Sequence, residues 1–328
     1  MMKAVLIREP GPAENLHIGN FPDPEPGEQE ILIRVAATAL NRADILQRQG
    51  KYPPPPGESP VLGLEVAGTV VKTGPGVSLW QPGDLVCGLL GGGGYAEFAV
   101  LHEKMALPVP ENLSLESAAA VPEVFLTAYQ ALHWIAGLQR GETVLIHAGA
   151  SGVGTAAIQL CRASGAKAIV TASPEKHPTC LQLGASRAID YKSEHFRDAA
   201  LEFTDGNGVN AILDFIGSPY FNDNLESLAH DGRLVVLAAM GGIKAKDVNL
   251  GLILRNRLQI TGTTLRARTT DYKIRLTAAF RKQYWPLFEN GSLHPVIDSV
   301  YDWNDVVMAH THMENNRNQG KIVLKILH

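Results

Sequence analysis

The chain has 328 residues, of which 45% are hydrophobic, 19% are charged and 32 are glycine. This composition is typical of a globular protein with a large core and many tight turns, and it excludes a disordered or fibrous chain. The net charge of −4 provides no general attraction for nucleic acid or for an anionic membrane. At roughly 100–200 residues per domain, the length predicts two domains.

The N-terminal apolar run 4–7 lies between Lys3 and Arg8 and is too short for a secretory signal or a membrane span. The three cysteines, Cys87, Cys161 and Cys180, are odd in number and widely spaced. This pattern favours a reducing compartment over a disulfide framework, and it is best explained by small buried side chains. We therefore expect a cytoplasmic protein with no membrane contact.

From Met1 to about Val121, short β-branched runs alternate with Gly and Pro turns, which predicts a β-rich domain with strands at 31–35, 66–71 and 95–100. Tyr52 is followed by four prolines, Pro53–Pro56. Prolines cannot donate to a sheet ladder, so this stretch is predicted to be a stiff extended loop.

After Pro122 the pattern changes to alternating strands and helices, with continuous apolar strands. Such alternation predicts a parallel sheet covered on both faces. The predicted strands are 143–147, 168–172, 188–190, 211–215, 233–238, 258–262 and 321–326, and the predicted helices include 153–164 and 271–290.

The strongest local signal is the segment His147–Gly154, HAGASGVG, which follows an apolar strand and opens an apolar helix. Small residues let the backbone approach a pyrophosphate, whose charge is favoured by the free amides and the dipole of the helix N-terminus. We predict a dinucleotide site at Ser151, Gly152 and Val153, with the Ser151 hydroxyl directed to the cofactor. Glycines at this position can also serve only the packing of a helix on a strand.

The end of the second strand indicates which dinucleotide is bound. An acidic residue there would accept hydrogen bonds from the ribose 2′-hydroxyl of NAD, but this strand ends in Ser173 and is followed by Lys176. A hydroxyl and a cation suit the 2′-phosphate of NADPH, although Glu175 could be the missing acid and Lys176 a solvated lysine. Pro174 is tolerated in a first helical turn, but Pro178 would distort the following helix if that helix began early.

A catalytic zinc site is not predicted. No Cys precedes Cys87, no C-x-x-C occurs, and the turn Leu62–Glu65 offers a leucine where a ligand would be needed. His310 and His312 are two residues apart and are predicted to be surface or capping histidines. Without a Lewis acid, we expect acceptors already activated by conjugation, such as quinones or enones.

Several segments together resemble the zinc-free quinone oxidoreductases of the medium-chain dehydrogenase/reductase superfamily, in particular the branch of the tumour-suppressor-induced quinone oxidoreductase. The resemblance extends over nearly the whole chain. The segments that carry it are ALNRAD at 39–44, RQGKY at 48–52, LGLE at 62–65, AAVPE at 119–123, HAGASGVG at 147–154, LRAR at 265–268 and GKIVL at 320–324.

The resemblance implies a doubly wound Rossmann domain, residues 122–265, inserted in a β-rich, GroES-like substrate domain formed by residues 1–121 and 266–328. It implies an active site in the cleft between them. It also implies a homodimer formed through the edge strands of the two Rossmann sheets, here residues 259–263.

The resemblance further implies a role for individual residues. Asn41 contacts the nicotinamide, Asp44 supports its turn, and Tyr52 lies beside the nicotinamide and the acceptor. The remaining implied cofactor contacts are Thr127 in the cleft, Gly152 and Val153 at the pyrophosphate, Ser173, Lys176 and Tyr191 at the adenosine phosphate, Ile216, Gly217, Met240 and Gly241 at strand ends, Leu265 and Arg266 at the nicotinamide, and Asn318 and Lys321 from the C-terminal side.

Three functions remain open from the sequence. The first is hydride transfer from NADPH to a quinone, with Tyr52 as a candidate proton donor. The second is reduction of the C=C bond of an enone, alkenal or enoyl thioester. The third is an NADPH-binding protein that binds RNA or serves as a structural protein, for which Arg255, Arg257, Arg266 and Arg268 form a local basic cluster.

Overall fold

The computed structural model describes residues 1–326, which form two compact units. The first unit consists of Met1–Leu126 and of the chain from Leu265 onward, and the second consists of Thr127–Thr264. Among the described residues, no helix is both long enough and apolar enough to cross a membrane.

The strands are β1 (Met2–Ile7), β2 (Leu16–Phe21), β3 (Glu30–Ala39), β4 (Glu65–Thr73), β5 (Leu85–Leu89), β6 (Phe98–His102), β7 (Ala106–Pro108), β8 (Thr143–Ile146), β9 (Lys167–Ala172), β10 (Ala185–Asp190), β11 (Val209–Asp214), β12 (Leu228–Val236), β13 (Gln259–Gly262), β14 (Ile297–Asp302) and β15 (Lys321–Lys325). The α-helices are α1 (Arg42–Arg48), α2 (Leu115–Ala119), α3 (Pro122–Tyr129), α4 (Gly152–Ala163), α5 (His177–Leu183), α6 (Phe196–Phe203), α7 (Phe221–Ser227), α8 (Leu250–Asn256), α9 (Thr270–Glu289) and α10 (Val306–Glu314).

The first unit is built on a seven-stranded sheet in the order β14-β15-β3-β4-β5-β7, with β6 also paired to β3. In β3, Ile31, Ile33 and Val35 are fully buried, whereas the intervening Leu32 and Arg34 are not. This alternation is the signature of a strand with one face on the core. The predicted strand at 31–35 is confirmed, and the proline stretch after Tyr52 lies outside every strand, as predicted.

The second unit contains a six-stranded parallel sheet in the order β10-β9-β8-β11-β12-β13. Counted from β8, this is the order 3-2-1-4-5-6 of a doubly wound dinucleotide-binding fold. Val144, Leu145 and Ile146 of the central strand β8 are fully buried. The predicted parallel sheet is confirmed. In such sheets, ligands bind outside the carboxyl ends of the strands, at the point where the strand order reverses, here between β8 and β11.

The two prolines after β9 do not distort the helix that follows. Ser173 is followed by a 3₁₀ turn, Pro174–Lys176, and α5 begins only at His177. Pro178 therefore falls in the first turn of α5, where its missing N–H would have no helical partner.

A chain of buried polar groups joins the ends of β8, β9 and β11 within the second unit. The Ala148 amide donates to Thr171 Oγ1 over 3.3 Å, and this hydroxyl lies 3.1 Å from His147 Nδ1. On the other side of the imidazole, His147 Nε2 lies 2.7 Å from Asn224 Oδ1. Asn224 Nδ2 donates to Asp214 Oδ2 over 3.2 Å.

These hydrogen bonds fit a neutral His147, the form that burial favours. The carboxylate of Asp214 accepts from the Asn224 amide nitrogen, so the Asn224 oxygen accepts from His147 Nε2–H and leaves Nδ1 to accept from the Thr171 hydroxyl. Burial lowers the pKa of His147 to about 4, against the opposing hydrogen bond to Asn224. The imidazole therefore acts as a fixed bridge between strand ends.

The titration of His147 predicts a loss of stability in acid. The folded pKa, about 4, lies below the ordinary value of 6.5, so below about pH 6.5 the unfolded chain gains a proton that the folded chain does not. The wild type should lose up to ~1.4 kcal/mol of unfolding free energy per pH unit from this group as the pH falls through that window.

In His147→Gln, an amide that does not titrate keeps a donor and an acceptor at this position. Urea unfolding at pH 7 and at about pH 4.5 should show a smaller difference for this variant than for the wild type. His230→Gln, at an exposed position, is the control and should keep the wild-type difference. An equal pH dependence in His147→Gln and the wild type would contradict the assignment.

Candidate cofactor and acceptor sites

The predicted phosphate-binding turn connects β8 to α4. Ser151 is the N-cap of α4, and its Oγ accepts the Gly154 amide over 3.1 Å. Gly152 and Val153 are the first residues of the helix, where amides have no helical acceptor. A Cβ on Gly154 would lie 2.5 Å from the carbonyl oxygens of Ala148 and Gly149, so only glycine permits this close turn. The Ser151 oxygen thus shapes the helix start, and its hydroxyl can still donate a hydrogen bond to a cofactor.

The loop after β11 is fixed by the carboxylate of Asp214. Asp214 Oδ1 accepts the amides of Ile216, over 2.7 Å, and of Gly217, over 3.1 Å. Gly217 has φ +81°, and a Cβ there would lie 2.7 Å from the Gly242 carbonyl. The Gly241 amide donates to the Ile216 carbonyl and the Met240 amide to the Phe215 carbonyl. Four predicted cofactor residues are therefore neighbours in the loops that follow the carboxyl ends of β11 and β12, namely Ile216, Gly217, Met240 and Gly241.

Two of the three residues predicted at the adenosine phosphate meet at the ends of β9 and β10. Ser173 Oγ lies 3.5 Å from Tyr191 OH, and the Tyr191 side chain is largely exposed. Lys176 is half-buried in the next turn, where its amide donates to the Ser173 carbonyl. Two hydroxyl groups at neighbouring strand ends, with a lysine three residues after Ser173, can hold a phosphate group.

In the first unit, Asn41 is held by a buried ion pair. Lys321 Nζ lies 2.8 Å from Glu65 Oε1, and it donates to Asn41 Oδ1 over 2.6 Å and to the Leu40 carbonyl over 2.7 Å. Asn41 Nδ2 donates to Glu65 Oε1, and Glu65 Oε2 accepts the Glu123 amide. An ammonium has three donors, and all three of Lys321 have acceptors here. A contact of Lys321 with a cofactor would have to displace one of them.

Asp44 supports the turn at Asn41, as predicted. Its Oδ2 accepts the Asn41 amide over 2.8 Å, and its Oδ1 accepts the Gly63 amide over 3.0 Å. Burial raises the pKa of Asp44 to about 6, although these hydrogen bonds and the charges of Lys321 and Arg266 oppose the rise.

Tyr52 and Arg266 lie together in the first unit. The guanidinium carbon of Arg266 is 5.4 Å from the centre of the Tyr52 ring, a cation–π distance. Arg266 Nε donates to the Gly91 carbonyl and Nη2 to Gln47 Oε1, both over 2.7 Å, and the residue is 5% exposed. Burial raises the pKa of Tyr52, against the opposing charge of Arg266. The phenol therefore keeps its proton at neutral pH.

The remaining predicted cofactor residues are Thr127, Leu265 and Asn318. Thr127 and Leu265 are buried at the ends of their respective units. Asn318 Nδ2 donates to the Gly320 carbonyl over 2.9 Å, so it shapes the turn that leads into β15.

Glu65, Gln47 and Asn224 are not among the site residues predicted from the sequence. Glu65 had a recognisable signal, because it is a carboxylate at the start of an otherwise apolar strand. Gln47 and Asn224 lie in ordinary polar positions of α1 and α7, and only the tertiary structure reveals their partners.

The prediction that His310 is a surface or capping histidine is wrong. His310 is fully buried, where Nδ1 lies 3.3 Å from Arg48 Nη1 and burial lowers its pKa to about 3. The arginines of the local basic cluster do not all lie on the surface. Arg266 is buried, whereas Arg257 is exposed and pairs with Asp231 over 2.6 Å.

The cysteines are free and buried, as predicted. Burial raises the pKa of Cys161 to about 12 and that of Cys180 to about 11, so these thiols are poor nucleophiles at neutral pH. Within residues 1–326, no group of three or more His, Cys, Asp or Glu side chains could hold a metal ion.

Family models match both units. The model described as alcohol dehydrogenase GroES-like domain matches residues 27–111, and the model described as zinc-binding dehydrogenase matches residues 152–280. The expected GroES-like character of the β-rich unit is thereby confirmed.

Curated relatives fall into two groups. The chain is 34% identical to a quinone oxidoreductase of Pseudomonas aeruginosa over 328 residues, which cover 99% of each chain. It is also 34% identical to the phenolphthiocerol synthesis polyketide synthase type I Pks15/1 of Mycobacterium bovis, over 96% of this chain. The chain spans between 14% and 19% of the length of such polyketide synthase relatives.

Solved structures share the whole fold. The CurK enoyl reductase superposes with a TM-score of 0.89 at 27% identity over 99% of both chains. A mycobacterial protein complexed with NADPH has a TM-score of 0.86 at 29% identity, covering 99% of this chain and 100% of that one. The two matched family models, the strand order and the relative matched over its full length together show the family. The chain belongs to the quinone oxidoreductase family of the medium-chain dehydrogenase/reductase superfamily.

Proposed function

We propose that the protein is an NADPH-dependent quinone oxidoreductase that works without a metal ion. The observation that carries the proposal is the similarity to the Pseudomonas aeruginosa quinone oxidoreductase over 99% of both chains. We also propose a cytoplasmic location, because a reducing compartment keeps the three buried thiols free.

The residues of the second unit fit a dinucleotide. The free amides of Gly152 and Val153 at the start of α4 suit a pyrophosphate, and the glycine-dependent turn at Gly154 allows close approach. Ser173 and Tyr191, with Lys176 three residues after Ser173, suit a 2′-phosphate. When bound, NADPH supplies a hydride. The buried hydrogen-bond chain from Ala148 to Asp214 keeps the two strand ends that would carry the cofactor in fixed positions.

The residues of the first unit suit the acceptor. We propose that Tyr52 donates the proton that an acceptor oxygen gains during reduction, because its raised pKa keeps the hydroxyl protonated. Arg266 beside it stabilises negative charge that develops on that oxygen. Lys321 and Glu65 hold Asn41 in one orientation, and we propose that Asn41 contacts the nicotinamide.

The cofactor assignment predicts a selective effect of Lys176→Ala. The Kd for 2′,5′-ADP should rise roughly tenfold, as expected for the loss of a charge-assisted contact, whereas the Kd for 5′-AMP should stay close to the wild-type value. Isothermal titration calorimetry measures both without turnover. Lys167→Ala, an exposed lysine at the start of β9, is the matched control. Equal affinity of the wild type for both nucleotides would contradict the preference for NADPH.

The acceptor assignment predicts that Tyr52→Phe lowers kcat for a quinone by roughly a hundredfold, the usual scale for loss of a general acid. Tyr301→Phe, which removes a hydroxyl bonded to His312 in the same unit, should keep the wild-type rate. Stopped-flow oxidation of NADPH between pH 6 and pH 9 provides the measurement. Full turnover of Tyr52→Phe at every pH would exclude Tyr52 as the acid.

A second candidate function is reduction of a conjugated C=C bond in an enone, alkenal or enoyl thioester. It is supported by the polyketide synthase relatives and by the similarity to the CurK enoyl reductase. Product analysis separates the two functions. A hydroquinone or semiquinone from a panel of quinones supports the first, and a saturated carbonyl compound from a panel of enones, without quinone turnover, supports the second.

We propose a homodimer formed through β13, the edge strand of the six-stranded sheet. An open strand edge pairs readily with another strand. Ile260 in β13 is 38% exposed, and α8, just before it, exposes Leu250 by 72% and Leu254 by 81%. Apolar side chains this exposed near a strand edge suit a second copy of the chain.

The dimer proposal predicts that Ile260→Lys yields a monomer, because two like charges would face each other near the two-fold axis. Analytical ultracentrifugation reports the mass directly. Val300→Lys, at an exposed position of β14 on the edge of the other sheet, should not change the mass. A dimer that persists in Ile260→Lys would rule out β13 as the interface.

A further inference from the structure

Two buried cations of the first unit, Arg266 and Lys273, have incomplete partners. They are 5% and 3% exposed, and charged side chains this buried are normally fully paired. Arg266 Nη1 is buried with no hydrogen-bond partner. Lys273 Nζ lies 3.8 Å from Glu58 Oε1, which is an ion pair but is longer than a hydrogen bond.

Glu58 is the carboxylate that pairs with Lys273, and its position depends on a glycine. A Cβ on Gly91 would lie 1.9 Å from the carboxyl carbon of Glu58, so glycine alone lets the carboxylate rest against the backbone there. The carbonyl of the same Gly91 accepts Arg266 Nε. Glu58 follows the proline loop and its side chain is 36% exposed, so it can move away into solvent.

Burial lowers the pKa of both Arg266 and Lys273. For Arg266 the fall is opposed most strongly by Asp44, which with a pKa of about 6 is largely ionised at neutral pH, and also by Glu58. For Lys273 the fall is opposed by Glu58, and the charge of Arg266 lowers the pKa further. Glu58 is therefore a carboxylate that acts on both desolvated cations.

We propose that Arg266 and Lys273 bind a carboxylate carried by the acceptor molecule, and that Glu58 is a displaceable counter-ion that occupies this position in its absence. The proposal rests on the proposed function, since it specifies the class of acceptor that the first unit selects. A guanidinium offers a planar pair of N–H donors to a carboxylate, and an ammonium adds a point charge. Tyr52, stacked on Arg266, would then lie beside the conjugated part of the same molecule.

The test compares a naphthoquinone carboxylate with the corresponding neutral carboxamide. In Lys273→Met, the Kd and KM for the carboxylate should rise roughly tenfold or more, and those for the carboxamide should change much less. In Glu58→Gln, the Kd for the carboxylate should fall, because the competing anion is gone. Calorimetry on the full chain without NADPH gives Kd, and steady-state kinetics gives KM.

Lys282→Met, at an exposed position of the same helix, is the matched control and should leave both ligands unaffected. The opposite signs expected for Lys273→Met and Glu58→Gln cannot arise from a general loss of folding. Equal responses of the carboxylate and the carboxamide in both variants would overturn the proposal. If the binding pattern holds but no quinone is reduced, the carboxylate site stands and the proposed function fails.

Discussion

The second unit depends on one constraint, the alignment of the carboxyl ends of β8 and β11 at the reversal of strand order. Each end carries backbone amides that cannot be satisfied by the sheet, in the first turn of α4 and in the loop at Ile216–Gly217. His147, at the end of β8, is linked through Asn224 to Asp214 at the end of β11, and on its other side it contacts Thr171 of β9. Because a buried neutral imidazole has one donor and one acceptor, it fixes both the distance and the direction of the bridge.

The first unit is constrained by a charged pair, Lys321 and Glu65, that is buried inside a β-rich core. Removing two charges from water is expensive, and the attraction between them offsets that cost only when the remaining donors and acceptors are also satisfied. Lys321 and Glu65 meet this condition, because neighbouring carbonyl, amide and side-chain groups complete their hydrogen bonding. The result is a rigid orientation of Asn41, which a neutral pair could not impose as strongly.

The sequence predicted the elements whose signal is local. The alternation in β3, the buried strand β8 and the glycine-rich turn before α4 each follow from a short pattern, and the strand order follows from their succession. The prediction that failed, and the residues that were not predicted, depend on contacts between residues distant in sequence. His310 looks like a surface residue until Arg48, 262 positions away, is found beside it. Asn224 contacts His147, which lies 77 positions earlier in the chain, and no hydrophobic periodicity in the sequence predicts such a contact.

The buried cations of the first unit differ in how fully they are paired. Lys321 has a structural role, whereas Arg266 and Lys273 can accept a ligand. Lys321 has an acceptor for every donor, so a new partner gains little there. Arg266 keeps one buried nitrogen without a partner, and Lys273 forms a long ion pair, 3.8 Å, with the partly exposed carboxylate of Glu58. An unsatisfied buried donor is costly, and natural proteins retain few of them. The unpaired Arg266 Nη1 beside Tyr52 is explained if a carboxylate oxygen of the acceptor binds there. The unpaired donor that costs the fold stability would then make the site selective for acceptors with a carboxylate.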